Sequence, residues 1–236
     1  MLLAARSSVI GMARDFSCAV ITSENDILAV AEGFPIHVWG MNIQTESMCD
    51  LHPDFKEGDA FLHNDPYLGN THAADHTIIV PVFYDDEYFF SVGIKAHQAD
   101  IGNSMPTTYM APAADVYHEG ALIFPCVQVQ SDYTDNEDIM RMCKRRIRVP
   151  EQWYGDYLSQ LGAARIGDNE RLIIGEGHIA WLRRLAHGIE NLFRRIDAIA
   201  GEHSQGVGAC GGIGHRRARR DHRQIVAGHV GYGQAQ

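Results

Sequence analysis

Two runs of apolar, β-branched and aromatic residues, separated by a short acidic turn, constrain this chain most strongly. The runs are Thr77–Tyr84 and Tyr88–Lys95, and the turn between them is Asp-Asp-Glu. Runs of this length and composition around a short polar turn predict a β-hairpin. The register of that hairpin also determines which residues at its two outer ends face each other.

Both outer ends of the predicted hairpin carry histidine and aspartate. With the turn centred on Asp86, residues whose numbers sum to 172 face each other, so Asp75 pairs with His97. Facing Cβ atoms lie about 4.5–5.5 Å apart, and His72 precedes Asp75 by three residues. The hairpin alone is therefore expected to bring His72, Asp75 and His97 together. A bulge at Pro81 is the alternative, because it would shift the pairing by one residue.

Together with Asp15, at the start of a predicted strand, these three residues form a candidate metal site. Imidazole nitrogen and carboxylate oxygen suit Zn²⁺, Mn²⁺ or Fe²⁺, and a bound ion would lower the pKa of its water. His72, Asp75 and His97 are then the catalytic candidates. In a plainer interpretation the two histidines cap strand ends and bond the carboxylates, and spacing alone leaves both interpretations open.

Other features narrow the chemistry around this site. The H-x-x-D spacing differs from the H-x-D spacing of facial-triad iron oxygenases, which disfavours that class. Cys18 is interpreted as a small buried hydrophobic residue rather than a nucleophile. No nucleotide-binding motif is visible, so ATP is not expected to bind this chain itself. The residues expected to orient the metal ligands are His63, Asp65, His76 and Asp100.

The rest of the sequence predicts a mixed α/β (α+β) fold, in which β-hairpins carry the site and helices follow. The helix at Glu151–Ile166 is expected to bury Trp153, Tyr157 and Leu161 along one face. The other predicted elements are strands Asp15–Thr22, Ile27–Ala31, Gly58–His63 and Ala121–Val129, helices Met41–Met48, Ile139–Ile147 and Arg171–Ala200, and an ordered loop Gly102–Ala114.

Composition excludes several classes of protein. The net charge is −10, with 28 acidic and 15 basic side chains in residues 1–200, which argues against nucleic-acid binding. No apolar run is long enough to span a membrane, and no secretory signal is recognised at the start. The five cysteines are scattered without a C-x-x-C pair, which argues against a disulfide framework and favours the cytoplasm.

The last segment, residues 201–236, differs from the rest of the chain. It is rich in glycine, arginine and histidine, holds only two acidic side chains, and lacks apolar periodicity. This composition predicts a disordered or frame-disrupted tail, flexible from about residue 205, that follows a domain spanning residues 1–200.

Several separate motifs resemble the hydantoinase B/oxoprolinase family over residues 1–199. They are D-F-S-C-A, N-D-P-Y-x-G-x-T-H-x-x-D, A-H-x-A-D-x-G, H-E-G-A-L-I-F-P and R-V-P-E-Q-W-Y-G-D. The resemblance implies an α/β-type protein whose metal ligands are Asp15, His72, Asp75 and His97. The inclusion of Asp15 depends most on the resemblance, because nothing local brings its strand to the hairpin.

The resemblance also implies a division of labour between two components. A partner hydantoinase A-type ATPase would use ATP and Mg²⁺ to phosphorylate a cyclic amide, an imide or a ketone. This chain would then catalyse hydrolysis of the activated substrate at its transition metal. In the acetone carboxylase relatives, the corresponding step is a carboxylation. The segment G-N-S-M-P-T-T-Y favours the carboxylase-like branch.

The chain departs from the family in length, since related B components are more than twice as long. This departure predicts a fragment or a frame-disrupted product of a hetero-oligomeric enzyme. Two alternatives stay open: a remnant without catalytic activity that at most binds an A-type partner, and a metal-dependent hydrolase that acts alone.

Overall fold

The computed structural model describes the backbone of residues 1–169 and the side chains of residues 1–166. The helix predicted at Arg171–Ala200 and the tail at 201–236 lie outside the described residues. Within residues 1–169, none of the helices has the length and apolar character needed to cross a lipid bilayer.

One antiparallel sheet of seven strands forms the centre of the described chain. Its spatial order is β2-β1-β5-β4-β3-β6-β7, so the long central hairpin β4–β5 lies between two shorter flanks. The strands are β1 Phe16–Thr22, β2 Ile27–Ala31, β3 Ala60–His63, β4 Asp75–Tyr84, β5 Glu87–His97, β6 Val127–Ser131 and β7 Thr134–Asp135.

Residues 1–169 also form five α-helices, which confirms the predicted mixed α/β class. Pro150 begins the last helix, where its fixed φ is already helical and its missing N–H is not needed. The helices are α1 Ser8–Gly11, α2 Met41–Leu51, α3 Val116–Glu119, α4 Glu137–Arg146 and α5 Pro150–Asn169.

The register of the central hairpin agrees with the prediction. Asp75 pairs with His97, and the same register continues from there to Val82. The irregularity lies between Val82 and Phe83, on the turn side of Pro81, so it does not alter the pairing at the outer ends. Both turn residues, Asp85 and Asp86, have positive φ values of 51° and 63°, as a two-residue hairpin turn requires.

The two faces of the sheet are covered differently. On one face Ile78 and Ile94 pack with Trp153, Tyr157 and Leu161 of α5, as predicted for that helix. The opposite face packs against α2, where Met48 contacts the cluster formed by Phe61 and Ile79, and Met41 contacts Ala19 and Ile21. Because strand side chains alternate between faces, Asp75 and His97 lie on the α2 face.

The strand predicted at Ala121–Val129 is wrong over its first six residues, since β6 begins only at Val127. The side chain of Asn64 takes the place of a neighbouring strand there. Its amide donates to the carbonyl of Leu122 at 2.9 Å, and its carbonyl accepts from the N–H of Phe124 at 2.6 Å. Cys126 then adopts a positive φ of 54°, which breaks the extended conformation.

Replacing Asn64 with alanine is expected to destabilise the fold. The fully buried amide also donates to Ala73 at 2.8 Å, so Asn64→Ala leaves three backbone groups without their partner. We expect the free energy of unfolding, measured by urea titration, to fall by about 2–4 kcal/mol. Asn42→Ala on α2 is the control and should change it by less than about 0.5 kcal/mol. Equal unfolding curves for both variants would contradict this role.

Candidate metal centre

Three strands bring the candidate ligands to one edge of the sheet. Asp75 is the first residue of β4 and His97 the last residue of β5, so their pairing places both at the same end of the hairpin. β1 pairs with β5, with Phe16 opposite Ala96. The backbone carbonyl of Asp15 accepts a hydrogen bond from the N–H of His97 at 3.0 Å. The pairing of β1 with β5 therefore brings Asp15 next to His97, which no local sequence signal predicted.

The Asp75 carboxylate lies at the centre of this cluster. Its Oδ1 is 3.0 Å from Nδ1 of His97, and its Oδ2 is 3.4 Å from Nδ1 of His72. One ligand atom from each of the three residues lies within 4.8 Å of the other two. The structure thus brings His72, Asp75 and His97 together as the hairpin register predicts.

Asp15 joins this group through a residue that the sequence analysis missed. Nε2 of His37 lies 3.3 Å from Oδ1 of Asp15 and 3.4 Å from Oδ1 of Asp75. His37 ends a short 3₁₀ turn at Pro35–His37, far from the motifs in sequence. A single histidine after Pro-Ile carries no pattern that could have indicated this position.

Two hydroxyl groups and one aromatic ring complete the centre. Thr71 donates a hydrogen bond to Oδ2 of Asp75. Thr108 donates to the carbonyl of Gln98, and its hydroxyl lies 2.6 Å from Nε2 of His97. The ring of Tyr109 stacks on His72 with centroids 5.8 Å apart. Thr108 and Tyr109 belong to the predicted loop Gly102–Ala114, where no pattern in the residues singles them out.

The electrostatics of the centre keep a negative charge on Asp75. Burial by itself raises the pKa of this carboxyl group, which is only 1% exposed. Contacts with His37 and His97, and the charge of His72, act in the opposite direction and prevail. The pKa of Asp75 therefore lies well below its usual value, and the carboxylate is available to a cation at neutral pH.

The donor set fits a divalent transition ion. It combines an ionised carboxylate with imidazole nitrogens, which suits Zn²⁺, Mn²⁺ or Fe²⁺ better than the all-oxygen preference of Ca²⁺ and Mg²⁺. Within residues 1–166, Nδ1 of His72 is buried without a hydrogen-bond partner and lies 3.4 Å from Oδ2 of Asp75. A buried nitrogen without a partner, next to an ionised carboxylate, is a donor that a cation can use.

Two of the residues expected to orient the ligands lie elsewhere. His76 points to the opposite face of the sheet, because neighbouring strand residues alternate, and accepts a hydrogen bond from Trp153 at 3.3 Å. Asp100 pairs with Arg148 at 3.4 Å and accepts from the N–H of Gly102 at 2.8 Å. The side-chain hydrogen bond of His76 is to α5, and the bonds of Asp100 are to Arg148 and the loop after β5. Neither side chain contacts the candidate metal ligands in these bonds.

The other two expected residues stabilise the turn that follows β3. His63 lies on the α2 face, and its Nδ1 accepts a hydrogen bond from the N–H of Asp65 at 3.2 Å. Asp65 in turn accepts from the N–H of Tyr67 at 2.9 Å. Cys18 lies opposite Ile94 in the sheet, and burial raises the pKa of its thiol, which agrees with an unreactive side chain.

Comparisons with known proteins find relatives both by sequence and by fold. A family model described as Hydantoinase B/oxoprolinase matches residues 1–178. The B component of a putative D-/L-hydantoinase from Pseudomonas sp. (strain NS671) is 36% identical over 169 residues, covering 68% of this chain and 28% of that protein.

Two solved structures share the fold. The ATP-dependent caprolactamase of Pseudomonas jessenii is similar with a TM-score of 0.72 at 26% identity, over 81% of this chain and 33% of that chain. Nucleotide-free acetone carboxylase gives a TM-score of 0.70 at 22% identity, over 76% of this chain and 24% of that chain. The chain spans between 24% and 33% of the length of these two structures.

His76 makes the stability of the fold sensitive to acid. Burial lowers the pKa of His76 to about 3, whereas a histidine in the unfolded chain titrates near about 6.5. Below about pH 6.5 the unfolded chain binds a proton at His76 that the folded chain does not bind. The free energy of unfolding therefore decreases as the pH falls from about 6.5 towards about 3. Between pH 7 and pH 5 the loss amounts to about 2 kcal/mol.

We therefore expect wild type to lose about 2 kcal/mol more unfolding free energy between pH 7 and pH 5 than His76→Gln. Comparing the two pH values within each variant cancels the constant cost of the lost contact with Trp153. The exposed His118, replaced as His118→Gln, is the control and should keep the wild-type pH dependence. If the unfolding free energies of wild type and His76→Gln fall by the same amount between pH 7 and pH 5, protonation of His76 is not the cause of the acid sensitivity.

Proposed function

Because the chain belongs to the hydantoinase B/oxoprolinase family, we propose that it carries the metal centre of an ATP-dependent enzyme acting on a cyclic amide or imide. A partner subunit of the hydantoinase A type phosphorylates the substrate, and this chain then acts on the activated carbon. The observation that carries the proposal is the convergence of His72, Asp75 and His97 within 4.8 Å at the end of one hairpin.

Each side chain of the centre has a distinct part in this proposal. Asp75 supplies a buried negative charge, and His72 and His97 supply nitrogen donors on either side of it. Asp15 adds a second carboxylate from the residue that precedes β1. A divalent ion held by these residues would polarise a carbonyl and lower the pKa of water towards neutrality.

The centre has a buried side and an open side. The side chains of Asp75 and His97 are 1% and 8% exposed, whereas those of His72 and Asp15 are 45% and 25% exposed. A substrate would therefore approach past His72 and Asp15. The ring of Tyr109 stacks on His72 at this opening, where it can orient a planar amide and exclude water from one side.

The need for a partner follows from the chemistry of the substrate. An amide or enol oxygen is a poor leaving group until it is phosphorylated, and this sequence shows no nucleotide-binding motif. The names of two relatives, a hydantoinase B component and a caprolactamase beta chain, describe parts of larger assemblies. We infer that ATP and Mg²⁺ act only in the partner.

Carboxylation of an activated ketone is the second candidate function. The observation that favours it is the position of the G-N-S-M-P-T-T-Y segment, whose Thr108 contacts His97 directly. This segment is the one that resembles the carboxylase-like branch. Hydrolysis and carboxylation would use the same ligands, since both require an activated carbon held next to the metal centre.

The first test of the proposal is metal content. The full chain, loaded with Zn²⁺ or Mn²⁺ and desalted, should retain about one ion, as one O/N site allows. Asp75→Asn should reduce this to background because it removes the central charge while preserving the shape of the side chain. Asp132→Asn in the exposed turn before β7 is the matched control and should bind like wild type. Equal metal content in all three proteins, measured by elemental analysis, would refute the site.

The second test separates the two half-reactions. With an A-type partner, product formation should require ATP, Mg²⁺ and the transition ion together. His97→Ala should reduce product formation by at least about 100-fold, because losing a ligand should cost at least as much as losing a residue that only orients one, for which about 10–100-fold is usual. ATP hydrolysis should continue, because phosphorylation takes place in the other active site.

Two other outcomes distinguish the rival functions. Turnover by this chain alone, without ATP but abolished by a chelator, would replace the two-component proposal with a hydrolase that acts alone. Metal binding without product under any condition would support a remnant that lacks catalytic activity. Bicarbonate-dependent consumption of a ketone would select the carboxylase.

A further inference from the structure

His37 is a buried member of the metal centre that neither the motifs nor the family resemblance assigned. Its side chain is only 3% exposed, and a single ring nitrogen, Nε2, faces both carboxylates. The other ring nitrogen, Nδ1, is buried without a hydrogen-bond partner among residues 1–166. The position of His37 therefore depends on Asp15 and Asp75 more than on any other polar group described.

The geometry distinguishes a bridge from an ordinary hydrogen bond. The distances of 3.3 Å to Asp15 and 3.4 Å to Asp75 both exceed the usual N–H···O range of about 2.7–3.2 Å. Nε2 thus lies at nearly equal distances from two carboxylates that come from different parts of the sheet. One imidazole in this position draws both carboxylates towards a common point.

The segment that carries His37 is fastened to the sheet at both ends. We call residues 33–40 the strap. At its start, Ser17 of β1 donates to the carbonyl of Phe34 at 2.8 Å and accepts from two backbone N–H groups of the strap. At its end, the buried ammonium group of Lys95 donates to the carbonyl of Trp39 at 3.2 Å.

The strap also packs closely against the loop that precedes β4. Gly40 has a positive φ of 78° and lies against Gly69, where a Cβ would collide with the Gly69 carbonyl oxygen. This close approach holds the strap over the ends of β1, β4 and β5. His37 is thus fixed in place before any ion binds, as expected of a residue that orients other ligands.

We propose that His37 is a positioning residue of the metal centre, which holds the Asp15 carboxylate towards Asp75 so that both carboxylates can serve one ion. The inference rests on the metal centre proposed above. His37 acts through Asp15, so its effect on metal affinity should depend on the presence of the Asp15 carboxylate.

The test measures Zn²⁺ affinity of the full chain by competition with a chelator. His37→Ala should weaken binding about 10–100-fold, the usual cost of losing a residue that orients a ligand. His37→Gln should recover most of the affinity, because its amide nitrogen can reach the position of Nε2. His52→Gln, which alters a half-buried histidine that contacts the Cys126 carbonyl, is the matched control and should bind like wild type.

A double-mutant cycle then tests whether His37 acts through Asp15. In an Asp15→Ala background, His37→Ala should cause less than about a twofold further loss of affinity, because coupled residues are not additive. The Co²⁺ absorption spectrum of His37→Gln should match wild type, since the ligands themselves are retained. Circular dichroism of the metal-free variants checks that each is folded, and His37→Phe, which fills the space without a polar nitrogen, replaces His37→Ala if that variant is not folded.

Three results would overturn the inference. Wild-type affinity in His37→Ala would show that the bridge has no effect. Multiplicative losses in the cycle, or a changed Co²⁺ spectrum in His37→Gln, would make His37 a direct ligand instead. If the wild-type chain binds no ion, the proposed metal centre and this inference both fail. If the wild-type chain binds Zn²⁺ and the His37 variants bind it equally well, only the inference fails.

Discussion

The pairing of Asp75 with His97 is the contact on which the rest of the centre depends. Strand side chains alternate between faces, so a shift of one residue would place Asp75 among the apolar contacts of α5 and His76 at the centre. The register is uninterrupted from this pair to Val82, and the irregularity is confined to the turn end of the hairpin. Eight paired positions therefore fix the relation between the two candidate ligands before any loop contributes.

Behind this pair the same face of the sheet is unusually polar. His63, Thr77, Lys95 and Ser17 face one another in turn across β3, β4, β5 and β1, and all four are fully buried. Burial lowers the pKa of Lys95 to about 8, although the nearby Asp75 charge favours its protonated form. Buried polar groups are costly unless they are paired, whereas the opposite face, where α4 and α5 pack, carries the largest apolar cluster of the described residues.

The residues that could be predicted from the sequence are those that local patterns determine. Composition and alternation identified the hairpin, its register and hence His72, Asp75 and His97 as neighbours. The role of Asp15 required either the family resemblance or the structure, because the pairing of β1 with β5 is a contact between distant segments. His37, Thr108 and Tyr109 were missed for the same reason, whereas Thr71 lies only four residues from Asp75, within the T-H-x-x-D motif, and was not singled out. His76 was expected to orient the ligands, but the structure places it on the other face of the sheet, as the alternation that predicted the hairpin already implies.

The division between sheet and loops also bears on how one centre could serve either of the two reactions proposed above. The ligands on β4 and β5 are fixed by backbone pairing, which tolerates little change. The side chains that face an incoming substrate, including Thr108 and Tyr109, come from the loop at 102–114, which holds its position by a few hydrogen bonds such as that from Thr108 to the Gln98 carbonyl. Loop residues can change without disturbing a scaffold. Under the proposed function, the choice between an amide and a ketone as substrate would therefore depend on this loop, whereas the reaction of the carbon that the partner has activated would depend on the hairpin.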